Sequence, residues 1–261
     1  MLKELVIAGT MMMAPSDSTL ESRLVERGYS QEAVHETFSQ HTPQQSIIPL
    51  FESNPEKKGE EGEMSYQEYK ENLEFEYRSN LLPRFIENHE NTLQDAEEVF
   101  GVDYRYIASI IGTETGFGTY TGSYSVSDVY KTIHENIEDK RSFALEQAEC
   151  LVNLVESDKL SEDMEGSYAG ALGYGQFIPC SVQDYFMGDI DSMEDTIYSV
   201  ANYLRNNHKE HEDMDGYTRW DPSRNGEEIT VGEGNYFAIW SYNHNEFYTR
   251  FIDELARSVE R

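Results

Sequence analysis

The stretch DYRYIASIIGTETGFGTYTG, residues 103–122, decides the fold class. In its first part, Ile107, Ala108, Ile110 and Ile111 put apolar side chains on more than one face. A helix that greasy is buried on most sides, unlike a surface helix with a single apolar stripe. Its second part, TGFGTYTG, is a glycine-rich exit. A buried helix needs other helices as walls, and the flanking sequence supplies them.

Toward the N-terminus, Pro83 is read as opening a helix with Phe85, Ile86, Leu93, Ala96, Val99 and Phe100 as its apolar positions, stopped by Gly101. Ser65 and Glu68 make a capping box for a helix running to about Asn80. Before it, ESNPEKKGEEGEM (52–64) is polar, charged and glycine-bearing, as a linker is. Residues 18–27 form a short helix closed by Gly28, and Ser30 caps a second one to about Gln40, broken at Thr42-Pro43. Toward the C-terminus, 142–157 and 194–206 read as amphipathic helices, and a last helix starts near Asn245. Only EITV, 228–231, suggests strand. The expectation is a mainly α chain with little β. Residues 1–17 are a leader or an unstructured start, 18–64 a small N-terminal helical unit with its linker, and 65–261 the main helical domain.

The charge excludes several functions. Of 261 residues, 20 are Lys or Arg and 50 are Asp or Glu, a formal charge of −30. Phosphate recognition depends on Lys and Arg, so a broad nucleic-acid surface is excluded, and so is an electrostatic grip on an anionic membrane. No apolar run approaches the roughly 18–20 residues of a membrane span. Lys3, a short apolar stretch and Ala14 look like an export leader, which predicts an extracytoplasmic protein; Thr10 stands where a lipid anchor would need cysteine. Self-repulsion at this charge is relieved by salt, because the Debye length falls from about 8 Å at physiological strength to about 3 Å at 1 M. A high-salt setting is therefore expected. Two cysteines, Cys150 and Cys180, allow one disulfide or two buried thiols, and the residues leave both open.

Glu114 is the chemical candidate. It follows the apolar run directly, at a helix C-terminus, so burial and the negative dipole end both favour the protonated carboxyl. A carboxyl that holds its proton near neutral pH is what a general acid requires. Gly112, Gly116 and Gly118 leave room around it. A second tract, GSYAGALGYGQF (166–177), is too small to fill a core and reads either as tight packing or as the floor of a groove for a flat, hydroxyl-rich ligand, with Ser167, Tyr168, Tyr174 and Gln176 as its equipment. A third, WSYNHNEFY (240–248), combines Trp240, Tyr242, Asn243 and Tyr248, which suit sugar rings and cores alike.

With these residues in place, the chain resembles the B-type lytic murein transglycosylases. The resemblance rests on IIGTETGFG (110–118), GSYAGALGYGQFIP (166–179), SVANYL (199–204) and YNHNEFY (242–248), in the family's order. FGV (100–102), Tyr69 and LVERGYSQEAVHETFSQ (24–40) agree with it, and it covers roughly residues 20–258. It implies a lysozyme-like α-domain over 65–261, with a groove for peptidoglycan glycan strands as the partner and no cofactor. It implies cleavage of the β-1,4 bond between N-acetylmuramic acid and N-acetylglucosamine without water, forming a 1,6-anhydro ring. Glu114 matches the single acid/base. Ser167 and Gln176 match residues that position sugar, and Tyr69, Tyr203, Tyr242, Asn243 and Tyr248 match groove residues. Lys140 and Arg141 stand for a pair of arginines facing carboxylates of the substrate. A monomer is expected.

The departures are local. GDIDSMED (188–195) replaces a longer calcium-type loop; Asp189, Asp191, Glu194 and Asp195 are the weak candidates for calcium, in a broken twelve-position frame. His208 and His211 lack a third ligand, and Cys180, where the family has serine, is read as packing. Three other readings remain: a hydrolytic muramidase with the same groove, a glycan-binding module without activity, and an acidic calcium-dependent scaffold.

Overall fold

The computed structural model describes residues 19–38, 42, 44–52, 64–210 and 235–260. The proposed leader, the body of the 52–64 linker, the EITV segment and His211 lie outside the described residues.

The central element is helix α7 (Tyr104–Thr115), in which Ile107, Ala108, Ile110 and Ile111 are fully buried, as the sequence predicts. Asp103 starts it by accepting from Arg105 N, and Gly116, at φ 57°, ends it. Around α7 stand α5 (Phe75–Asn88), α6 (Glu90–Phe100), α11 (Met193–Glu210) and α13 (Glu246–Arg257), while α12 (Asn235–Tyr242) lies against α11 and α13. A second group forms around α8 (Val126–Asn136) and α9 (Arg141–Glu156), with a 3-10 turn, Glu138–Lys140, between them. Helices α1 (Leu20–Glu26), α2 (Gln31–Phe38), α3 (Ile48–Glu52) and α10 (Pro179–Tyr185) pack on this pair. One hydrophobic core runs through both groups, from Leu20, Leu24 and Phe38 to Ile133, Leu154, Ile111 and Phe251.

Between the groups lies the described β structure: β1 (Tyr124–Ser125) pairs antiparallel with β2 (Glu165–Gly166). This pairing has no sequence signature, because each strand is two residues long and forty positions separate the partners.

Two helix boundaries differ from expectation. The helix from Ser65 stops early, giving α4 (Tyr66–Asn72), because Glu74 adopts φ 50° and turns the chain. Pro83 then lies inside α5 rather than opening a helix. The missing N–H is tolerated because buried Leu82 and Phe85 hold the helix to the core on either side of it. The cysteines are settled too. Cys150 on α9 and Cys180 at the start of α10 form a disulfide, with Cα atoms 5.0 Å apart, so Cys180 is a covalent tie rather than packing.

Candidate active site

Glu114 occupies the last turn of α7, half-buried, where the chain leaves the helix. The next residue, Thr115, is buried and does two jobs. Its Oγ1 donates to Tyr174 O (2.9 Å) and accepts from Gly118 N (3.0 Å), tying the exit loop to the 166–177 loop. The two loops touch again where Gly122 lies against the backbone of Gly166 and Ser167, so closely that a Cβ there would meet Gly166 O at 2.0 Å. The bare face of Gly112 is filled by the Phe117 ring rather than left open to a ligand.

Tyr248 completes the acid. Asn245 caps α13 by accepting from Tyr248 N (3.1 Å), which fixes the tyrosine in the first turn, and its Oη donates to Glu114 Oε1 at 2.5 Å. Tyr248 is only 2% exposed, so it meets the carboxyl rather than the open groove. Burial pushes Glu114 up to about 7, and the Tyr248 hydroxyl opposes that rise by stabilising the carboxylate. The phenols of Tyr69, Tyr242 and Tyr248 are themselves raised, first by burial and then by the charge of Glu114.

These tyrosines are held by different means. Tyr242 Oη donates to Gly175 O (2.6 Å), and Tyr203 Oη donates to Ser241 O (2.7 Å). Their rings lie 4.9 Å apart and share Phe177 as an edge-on neighbour. Tyr69 is carried by α4, whose capping box is formed as expected, and packs on Phe247 and Phe251. Lys70 pairs with Glu254 (2.6 Å), and the Arg250 guanidinium lies 3.7 Å from the centre of the Tyr66 ring, so α4 is pinned to the helix that bears Tyr248.

The remaining expected site residues are arranged differently. Ser167 Oγ accepts from Ala171 N (3.1 Å). Gln176, at φ 53°, donates Nε2 to Thr121 O (3.1 Å) and Gly173 O (3.0 Å), so it clamps the same two loops together. Asn243 is exposed just beyond α12. Lys140 and Arg141 lie at the α8–α9 junction, where Arg141 Nε donates to His134 O (3.0 Å); among the described contacts none joins them to Glu114. Thr115 and Phe177 were not singled out from the sequence. Thr115 lay within the motif that carries Glu114, whereas the part played by Phe177 depends on chain segments far from it.

In the 188–195 loop two acidic side chains engage the loop's own backbone. Asp195 Oδ2 accepts from Asp189 N (2.9 Å) and Asp189 Oδ1 from Asp191 N (3.0 Å), so the carboxylates close the loop on its own backbone. Among the described residues no three His, Cys, Asp or Glu side chains converge as metal ligands.

Tyr248→Phe tests the pairing at the acid. A hydrogen bond to a charged group is worth about 1.5–3 kcal/mol, so its loss raises the Glu114 pKa by about one to two pH units. The descending alkaline limb of the activity profile is expected to move up in pH by that amount. A limb that stays in place would show that Tyr248 does not tune the acid.

The helical body has the fold of the lysozyme-like lytic transglycosylases. The chain belongs to the family defined by the transglycosylase SLT domain, whose model matches residues 13–219. A curated relative, the membrane-bound lytic murein transglycosylase B of Escherichia coli (strain K12), is 33% identical over 129 residues, 46% of this chain; the match spans 36% of that protein's length. Among solved structures, the Escherichia coli lytic transglycosylase SLT35 in complex with bulgecin A superposes with a TM-score of 0.74 at 19% identity, over 93% of each chain. Soluble lytic transglycosylase SltB1 from Pseudomonas aeruginosa gives 0.74 at 23% identity, over 92% of this chain and 96% of that one. SltB3 from the same organism, in complex with NAG-anhNAM-pentapeptide, gives 0.73 at 17% identity, over 91% and 76%. These likenesses are likenesses of fold. Among the described residues, no helix is long and apolar enough to cross a membrane.

Proposed function

We propose that the chain is a lytic transglycosylase that cleaves the β-1,4 bond between N-acetylmuramic acid and N-acetylglucosamine in peptidoglycan, with Glu114 as its only acid and base. The carboxyl protonates the leaving glycosidic oxygen as the C1–O bond breaks. The carboxylate then takes the proton of the muramoyl C6 hydroxyl as that oxygen attacks C1, closing the 1,6-anhydro ring. No water enters, and the proton count balances. Glycosidases that use water place a second carboxylate within about 5–10 Å of the first. What carries the reading is the state of Glu114: burial raises its pKa to about 7 against the opposing hydrogen bond from Tyr248, and among the described residues no carboxylate adds to the rise. A tethered hydroxyl also holds an entropic advantage over free water. The anhydro-sugar ligand of the Pseudomonas SltB3 complex is the kind of product this chemistry makes.

The reading extends to Tyr69, Tyr203, Tyr242 and Asn243 as the sugar-facing wall, to Ser167 and Gln176 as the loop that shapes it, and to Lys140 and Arg141 as partners for substrate carboxylates. It also extends to place. A disulfide between Cys150 and Cys180 suits an oxidising, extracytoplasmic compartment, and a charge of −30 suits high salt. Mass spectrometry of purified sacculi digested from dilute buffer to molar salt tests the whole. Muropeptides lacking one water at the muramoyl end are expected, released faster as salt screens the repulsion between acidic enzyme and carboxylate-bearing wall. Products that carry the water would make the enzyme a hydrolase, and fastest release in dilute buffer would remove the saline reading.

A further inference from the structure

The backbone from Thr42 to Glu52 is fastened along α8 by side chains buried for that purpose. Thr42 N donates to Asp128 Oδ1 and Gln44 N to Thr132 Oγ1, each at 3.0 Å. Asp128 is 5% exposed and Thr132 1%, and between the anchors and α3 the side chain of Ile47 is fully buried. A segment held by buried acceptors and a core isoleucine has a set course, and it delivers α3 to the loop that carries Ser167. There the Phe51 ring meets the Tyr168 ring, centroids 5.7 Å apart and tilted by 59°. Both rings keep open area: Phe51 is half-buried against the core, Tyr168 is 44% exposed and Leu50 beside them is 46% exposed.

Burial does not explain a pair of open rings, yet rings in this state provide a flat apolar face with a hydroxyl at its edge. That surface matches the C–H face of a pyranose. The chain links the pair to the candidate site: Tyr168 is next to Ser167, and the same loop reaches Gln176, which is clamped to the exit of Glu114's helix. We infer that Phe51 and Tyr168 form a distal sugar subsite, occupied by a pyranose ring of an N-acetylated glycan strand beyond the residues at Glu114. The inference rests on the glycan-cleaving reading above. It gives the N-terminal helical unit a function: it lengthens the groove, so long strands gain affinity that short ones do not.

Calorimetry with chitotriose and chitohexaose on the Glu114→Gln chain tests this without turnover. A single stacked ring at roughly 0.5–1.5 kcal/mol makes the hexamer bind about two- to thirteenfold tighter than the trimer. Phe51→Leu keeps apolar bulk but loses the ring, and it is expected to erase that gain while trimer affinity holds. Phe51→Trp is expected to keep the gain. An equal loss for both oligomers in Phe51→Leu, or a hexamer advantage that survives it, overturns the subsite. A trimer that binds with no gain for the hexamer overturns the subsite alone, whereas failure of both oligomers to bind removes the glycan reading with it.

Discussion

Glu114→Gln is expected to abolish turnover of peptidoglycan, by about 10³-fold, and at the same time to make the protein more stable above neutral pH. The first effect follows from the proposal that Glu114 alone supplies the proton. The second follows from linkage. Glu114 titrates at about 7 in the folded chain and at 4.5 in the reference state, so the folded chain binds more protons between those values. Stability therefore falls as pH rises through this window, and the whole cost is present above 7. At roughly 1.4 kcal/mol for each pH unit, the cost is on the order of 3 kcal/mol. Glutamine keeps the shape and accepts from Tyr248 but never ionises, so it escapes that cost. Melting curves of both chains should coincide near pH 4 and separate by pH 8, with the variant higher. Coincidence at both values would mean that Glu114 ionises like an exposed glutamate, and the catalytic assignment would fall.

Removing the disulfide is expected to have the larger effect on folding. Cys150 and Cys180 close a loop of 30 positions, for which chain entropy predicts about 3–4 kcal/mol of stabilisation. In a chain of this size each kcal/mol moves the melting temperature by roughly 2–4 °C, so the double change to serine should lower it by about 10 °C. The tie joins α9, which packs on α8, to α10, which begins three residues after Gln176. Reduction by dithiothreitol should reproduce the shift, and an unchanged melting point in the reduced chain would show that the tie carries no stability.

Local chemistry was legible wherever its cause was local. Ser65 and Glu68 sit three residues apart, and the capping box forms; Asn245 precedes the last helix and caps it; Gly101 turns left-handed and stops α6. The helical breaks were harder. Glu74 has no turn signature, yet it takes a positive φ between α4, which Lys70 ties to Glu254 on α13, and α5. Pro83 reads as a start only if nothing holds the helix on both sides of it.

The site divides in the same way. The run Ile107 to Ile111 followed by Glu114 is enough to require a carboxyl in apolar surroundings, because hydrophobic burial depends on composition and spacing along one segment. Which phenol faces that carboxyl is not contained in any segment. Tyr248 lies 134 positions away, and only the packing of α13 against α7 brings its hydroxyl to 2.5 Å. The same holds for the 188–195 loop, where only the folded backbone shows that Asp195 accepts from Asp189 N and Asp189 from Asp191 N. By itself the sequence determined a helical body around one acid, since both follow from short-range pattern. The tertiary structure decided how that acid is tuned and where the cysteines and carboxylates are spent, because hydrogen bonds depend on direction and distance between groups far apart in the chain.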